Sequence, residues 1–152
     1  MLKYYNYDIV FQEVPDEVSL AVNITNCPNH CKGCHSLHLW ENIGTELTEN
    51  ELDRLAEIYR GDITCICLMG GDASKSEVES LAHHIKNTLN LKVAWYSGRY
   101  DKPLNINDFD YLKFGPYIAE KGGLKSPGTN QRFYKVVDGN LLDITDRFCK
   151  RH

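Results

Sequence analysis

Cys27-Pro28-Asn29-His30-Cys31-Lys32-Gly33-Cys34-His35 carries three thiols at the spacing C-x3-C-x2-C. The alternating run Ser19-Leu20-Ala21-Val22-Asn23-Ile24-Thr25 precedes it and reads as a strand that delivers the chain into a loop. Thiolates are soft ligands that suit iron–sulfur clusters and zinc. Three on one loop can hold three corners of a cubane and leave the fourth iron without a protein ligand. An open metal position of that kind can receive a substrate. Two other readings stand beside this one. Spacing i, i+4, i+7 also lines one face of a helix, although Pro28, Asn29 and Gly33 favour caps and turns. His30 or His35 could complete a Cys3His zinc site. Structural zinc sites, however, usually draw ligand pairs from two separated segments, and no second C-x2-C or H-x3-H pair occurs here.

The rest of the composition narrows the setting. A chain of 152 residues is long enough to bury a core without staples, which predicts a single domain over 1–152. Hydrophobic residues at 42% and charged residues at 25% fit a globular chain and exclude a disordered or fibrous one. A net charge of −4 gives no general attraction to nucleic acid, so no nucleic-acid partner is expected. No apolar run reaches about 18 residues, so no membrane span is expected. Met1-Leu2-Lys3-Tyr4-Tyr5-Asn6 lacks the apolar region of a secretory signal. Six cysteines in an unexported chain fit ligands or buried thiols and a reducing cytoplasm.

Along the chain, residues 4–14 and 18–25 read as strands separated by the turn Pro15-Asp16-Glu17, an N-terminal β-hairpin. Thr48-Glu49-Asn50-Glu51 is a capping box that opens a helix to about residue 59, stopped by Gly61. Residues 63–69 form a continuous apolar run before Gly70-Gly71, as in a strand buried on both faces, with Cys65 and Cys67 as packed thiols on one side. A second helix is expected over 74–89, capped by Ser74 or Ser76, with His83 and His84 in solvated or half-buried positions. Residues 91–96 and 111–114 read as further strands, and 117–130 as a surface loop. Residues 133–137 and 141–144 flank Asp138-Gly139 as a C-terminal β-hairpin.

The succession strand–loop–helix–strand–helix–strand predicts an α/β fold with parallel strands joined by crossovers. Ligands of such sheets bind outside the carboxyl ends of the strands. Three features fall at those ends: the cysteine loop, Gly70-Gly71-Asp72 and Ser97-Gly98. They are expected to meet in space.

Cys27-x3-Cys31-x2-Cys34 followed by Gly70-Gly71-Asp72 at the end of the next strand resembles the radical S-adenosylmethionine enzymes. Cys31-Lys32-Gly33-Cys34, Trp95-Tyr96-Ser97-Gly98, Thr129-Asn130-Gln131-Arg132 and the short length narrow the resemblance, over nearly the whole chain, to the activating proteins of anaerobic ribonucleoside-triphosphate reductases. The resemblance implies a trimmed, open (βα) partial barrel of the radical SAM type. It implies one [4Fe–4S] cluster on Cys27, Cys31 and Cys34, and S-adenosylmethionine bound at the open iron. Gly33, Cys34 and His35 would contact the adenosine, Gly70 and Gly71 the methionine amino group, with Asp72 assisting. This chain has Gly33 where many members carry an aromatic, and His35 is the residue that could stack on the base instead. One electron from the cluster would cleave the S–C5′ bond, and the resulting 5′-deoxyadenosyl radical would take a hydrogen atom from a glycine near the C-terminus of the reductase. The implied partners are that reductase and an electron donor such as flavodoxin or ferredoxin. Larger activases of other glycyl-radical enzymes often carry a ferredoxin-like cysteine insert, and none is visible here. Trp95 could line the pocket or pack in the core, and Asn130-Gln131-Arg132 could serve the partner or brace the C-terminal hairpin.

Overall fold

The structure is a computed structural model that describes residues 2–25 and 44–148. Cys27, Cys31, Gly33, Cys34, His35 and Cys149 lie outside the described residues. Among the described residues, eight strands form one mixed sheet: β1 (Lys3–Val10), β2 (Ser19–Ile24), β3 (Thr45–Glu46), β4 (Cys65–Met69), β5 (Lys92–Tyr96), β6 (Tyr111–Phe114), β7 (Arg132–Val137) and β8 (Asn140–Asp143). Their spatial order is β3-β1-β2-β4-β5-β6-β7-β8. The inner strands β2, β4, β5 and β6 run parallel, and β1 and β3 on one side and β7 and β8 on the other each run antiparallel to their inner neighbour.

Helices α1 (Glu49–Ile58) and α2 (Lys75–His84) pack on one face. Leu52 and Leu55 of α1 and Val78, Leu81 and Ala82 of α2 meet the side chains that alternate inward along the strands, Leu20, Val22, Ile66, Leu68, Val93 and Trp95 among them. Burial of apolar side chains on this scale is the main source of stability. The other face has a second, smaller cluster. Its floor is made of small residues, Ala21, Cys65, Cys67 and Ala94, and this leaves room for Val14 to pack over it.

That packing explains the first departure from the sequence reading. The strand expected over 4–14 ends at Val10, because the segment after it leaves the ladder and crosses the open face, where Val14 is fully buried. The second helix is also not uniform. A 3₁₀ turn at Asp72–Ser74 leads in, α2 follows, and a π-turn at Ile85–Leu89 ends on Asn90 in the left-handed region, its N–H returning to the Ile85 carbonyl. Ser74 holds the N-cap position without a side-chain cap bond. Strand β3, two exposed residues with no alternation to betray them, was not expected. β6 occupies the residues expected for it, Tyr111–Phe114. β7 and β8 pair around Asp138-Gly139, both at positive φ as a tight hairpin turn requires.

Candidate functional site at the carboxyl ends of the parallel strands

The first element of the site is a turn. Gly70 and Gly71 follow β4 at φ +111° and +92°, backbone that a side chain rarely tolerates. A Cβ on Gly71 would stand 2.5 Å from Val78 Cγ2, and one on Gly70 would stand 3.2 Å from the Ile24 carbonyl oxygen. The turn therefore lies directly against the end of β2, the strand that leads into the cysteine segment. Both flanks of that segment are pinned to the start of β1. The Thr25 N–H donates to the Lys3 carbonyl at 2.9 Å, and Thr45 pairs with Tyr4.

The ends of β4 and β5 are tied together by side chains. The Trp95 indole N–H donates to the Gly70 carbonyl at 2.7 Å. Asp72 is 7% exposed; its Oδ1 accepts from the Ser97 hydroxyl at 2.6 Å and its Oδ2 from the Gly98 N–H at 2.8 Å. Gly70-Gly71-Asp72 and Ser97-Gly98 thus meet, as the strand order requires. The line continues to β6. The Lys113 ammonium donates to the Ser97 carbonyl at 3.2 Å and to the Gly115 carbonyl at 2.7 Å. Trp95 itself belongs to the core, stacked on Phe109 with ring centroids 5.8 Å apart.

On the open face these strand ends border a cavity of about 630 Å³. Met69, Tyr96 and Lys113 lie side by side in register at its base, and Glu13, Leu124, Gln131 and Phe148 stand around it. A space of this size is within the range of about 300–1,000 Å³ that holds cofactor-sized ligands. Burial pushes the Tyr96 phenol well above its ordinary pKa, with the nearby Cys67 and Glu13 adding to the rise, so it stays a neutral donor to the Glu13 carbonyl. Lys113 is buried within 6.0 Å of the Tyr96 ring centroid and places a cation beside the cavity.

Met69, Glu13 and Lys113 were missed in the sequence. A signal existed for the last: Lys113 is the one charged residue in Tyr111-Leu112-Lys113-Phe114, a strand buried throughout. Asn130-Gln131-Arg132 brace the structure. Asn130 donates to the Pro116 carbonyl at 3.0 Å and to the Tyr100 hydroxyl at 2.9 Å, and Arg132 lies 3.7 Å from Asp143 of β8. Cys65 and Cys67 are packed thiols. Desolvation raises both, Cys65 to about 12. No cluster of three or more metal-ligating side chains occurs among the described residues. His84 is held by Asp53 at 2.7 Å and His83 by Asp108 at 3.0 Å. No described helix is long and apolar enough to cross a membrane.

The profile of a protein family described as a 4Fe-4S single cluster domain matches residues 18–113, more than half of the chain. The span takes in β2 to β5 and all but the last residue of β6, the three clustered cysteines, Gly70-Gly71-Asp72 and Ser97-Gly98. No curated protein and no solved structure matches the chain. A single cluster fits the donor set, since the sequence concentrates three soft ligands in one segment.

Proposed function

The chain belongs to the family of 4Fe-4S single cluster domains and is an iron–sulfur protein, and from that premise we propose that it is a radical S-adenosylmethionine activase. Its substrate would be an anaerobic ribonucleoside-triphosphate reductase, on which it installs a glycyl radical. The fold class that goes with this reading is the open (βα) partial barrel, supported by four parallel strands with helices on one face and a cavity on the other.

Cys27, Cys31 and Cys34 are the residues that would hold the cluster, which would supply the electron for reductive cleavage of S-adenosylmethionine. The remaining tasks belong to the chain's own groups. The Gly70-Gly71 turn is the proposed contact of the methionine amino group, and the absence of Cβ atoms lets it sit tightly against Ile24 and Val78 beside the end of β2. Asp72 holds that turn to the end of β5. Gly33, Cys34 and His35 are the proposed adenosine contacts. Lys113 puts a positive charge beside the cavity, which favours a carboxylate there. Met69, Leu124 and Phe148 give the cavity an apolar lining against which the reacting carbon would lie. The partner glycine segment would enter from the open face, and flavodoxin or ferredoxin would reduce the cluster in the cytoplasm.

The observation that carries the reading is the meeting of Gly70-Gly71-Asp72 with Ser97-Gly98 beside the strand that feeds C-x3-C-x2-C. The test is anaerobic reconstitution with iron and sulfide. A brown protein with about four irons per chain is expected, with methionine released under reduction and a glycyl-radical resonance signal once the reductase is added. A colourless protein that binds zinc instead and releases no methionine overturns the reading.

A further inference from the structure

We propose that Asp72 is a positioning residue that acts through Ser97 on Lys113 and does not itself contact the ligand. This rests on the proposed function and refines one part of it. Both Asp72 oxygens accept from the end of β5, one from the Ser97 hydroxyl at 2.6 Å and one from the Gly98 N–H at 2.8 Å. The Ser97 hydroxyl also accepts from the Arg99 N–H at 3.1 Å, so the carboxylate sets the shape of the whole 97–99 turn. The carbonyl of the same Ser97 accepts from the Lys113 ammonium at 3.2 Å, and Ser97 N–H donates to the Lys113 carbonyl at 2.9 Å. A continuous path of hydrogen bonds therefore joins a carboxylate at the end of β4 to a cation that borders the cavity.

The chemistry favours this role over direct contact. Ser97 is 1% exposed and Asp72 is nearly as buried, so the two form a charge-assisted pair removed from water. A carboxylate already spent on an O–H and an N–H is a poor choice for a ligand that must come and go. A buried ammonium, by contrast, needs its carbonyl acceptors fixed if it is to meet an anionic group at a constant place.

The experiment compares Asp72→Asn, Ser97→Ala, Ser97→Thr and the Asp72→Asn/Ser97→Ala double variant in the reconstituted full chain. Two quantities are read: methionine release against S-adenosylmethionine concentration, and hydrogen exchange at the Gly98 amide, which needs no cluster. Asp72→Asn and Ser97→Ala should each raise KM for S-adenosylmethionine by a similar factor of about 3–30, the range of modest coupling energies, with kcat within twofold. Ser97→Thr, which keeps the hydroxyl, should restore KM. The double variant should be no worse than the poorer single one, because both break the same path. Gly98 protection should fall at least tenfold in Asp72→Asn. A rise in KM in Asp72→Asn with Ser97→Ala unchanged would overturn the inference, since Asp72 would then touch the ligand. An unprotected Gly98 in the parent chain would overturn it as well. A parent chain that releases no methionine at all would refute the proposed function instead, and that result is separable because the exchange measurement still reports on the Asp72 bonds.

Discussion

The indole N–H of Trp95 reaches across from β5 to the carbonyl of Gly70, 2.7 Å away, and so joins a core residue to the turn at the end of β4. Trp95 is 1% exposed, and its ring stacks on Phe109. Trp95→Phe keeps an aromatic ring in the stack and deletes the donor. The Gly70 carbonyl then loses this partner at a half-buried position, which costs roughly 0.5–1.5 kcal/mol. Urea unfolding should show that loss in the midpoint with an unchanged slope. An unaltered midpoint would mean that water replaces the indole at no cost.

Gly71 and Gly61 separate two reasons for glycine. Both have positive φ, +92° and +85°. A Cβ on Gly61 meets nothing within 4 Å, whereas one on Gly71 stands 2.5 Å from Val78 Cγ2. Gly61→Ala should therefore cost only the left-handed strain, about 1–2 kcal/mol. Gly71→Ala should cost that and a further 1–3 kcal/mol or so of overpacking. Adding Val78→Ala to Gly71→Ala should return part of the second cost but none of the first. The comparison is made by thermal or urea unfolding of Gly61→Ala, Gly71→Ala, Val78→Ala as the reference, and the Gly71→Ala/Val78→Ala double variant.

Glu17 gives the molecule an acid-sensitive joint at the opposite, N-terminal ends of the strands. Desolvation pushes its carboxyl up, but hydrogen bonds from Lys92 at 2.9 Å, Thr64 at 2.7 Å and Tyr111 at 2.8 Å outweigh this and hold it below the ordinary value of 4.5. A carboxyl depressed in the folded state stabilises fully above its unfolded value, and the contribution is lost as pH falls through the folded value. Glu17→Gln should cost roughly 1–3 kcal/mol at neutral pH. The gap between parent and variant should close as pH drops below about 4.5, the unfolded value. A gap that stays constant down to acid pH would assign the stabilisation to shape and not to charge.

Local signals in the chain are legible where neighbours in sequence are neighbours in space. Thr48 caps α1, accepting from the Glu51 N–H at 3.2 Å, and Asp138-Gly139 turns between β7 and β8. Only half of the capping box is realised, because the Glu51 carboxylate is taken by Arg54 and by the Tyr4 hydroxyl at 2.6 Å. Tyr4 is 47 residues away, and nothing in Thr48-Glu49-Asn50-Glu51 announces it. The same limit applies to Val14. Its alternation fits a strand, but the small residues Ala21, Cys67 and Ala94 open a place for it across the sheet. In the site, the strand-end rule brought Gly70-Gly71-Asp72 and Ser97-Gly98 together. The partners that complete the path, Lys113 above all, come from β6 and depend on register that a linear reading does not contain.

Cys31 and Cys65 should behave as opposites, and the contrast tests the division of the thiols. Cys31 stands in the middle of C-x3-C-x2-C, and a ligand thiol must be deprotonated to bind metal. Cys65 is fully buried in β4, its thiol pushed up to about 12 by desolvation, a state in which it is no nucleophile at neutral pH. Cys31→Ala should therefore lose most of its iron and all methionine release while the sheet persists, since the two apolar clusters that hold it together lie elsewhere in the chain. Cys65→Ala should keep its iron and its methionine release and lose roughly 1–2 kcal/mol of stability through the small cavity left against Ala21 and Tyr111. Iron analysis, circular dichroism and urea unfolding of both variants decide the matter. Iron loss in Cys65→Ala, or full methionine release in Cys31→Ala, would show that the ligand set has been assigned to the wrong strand end.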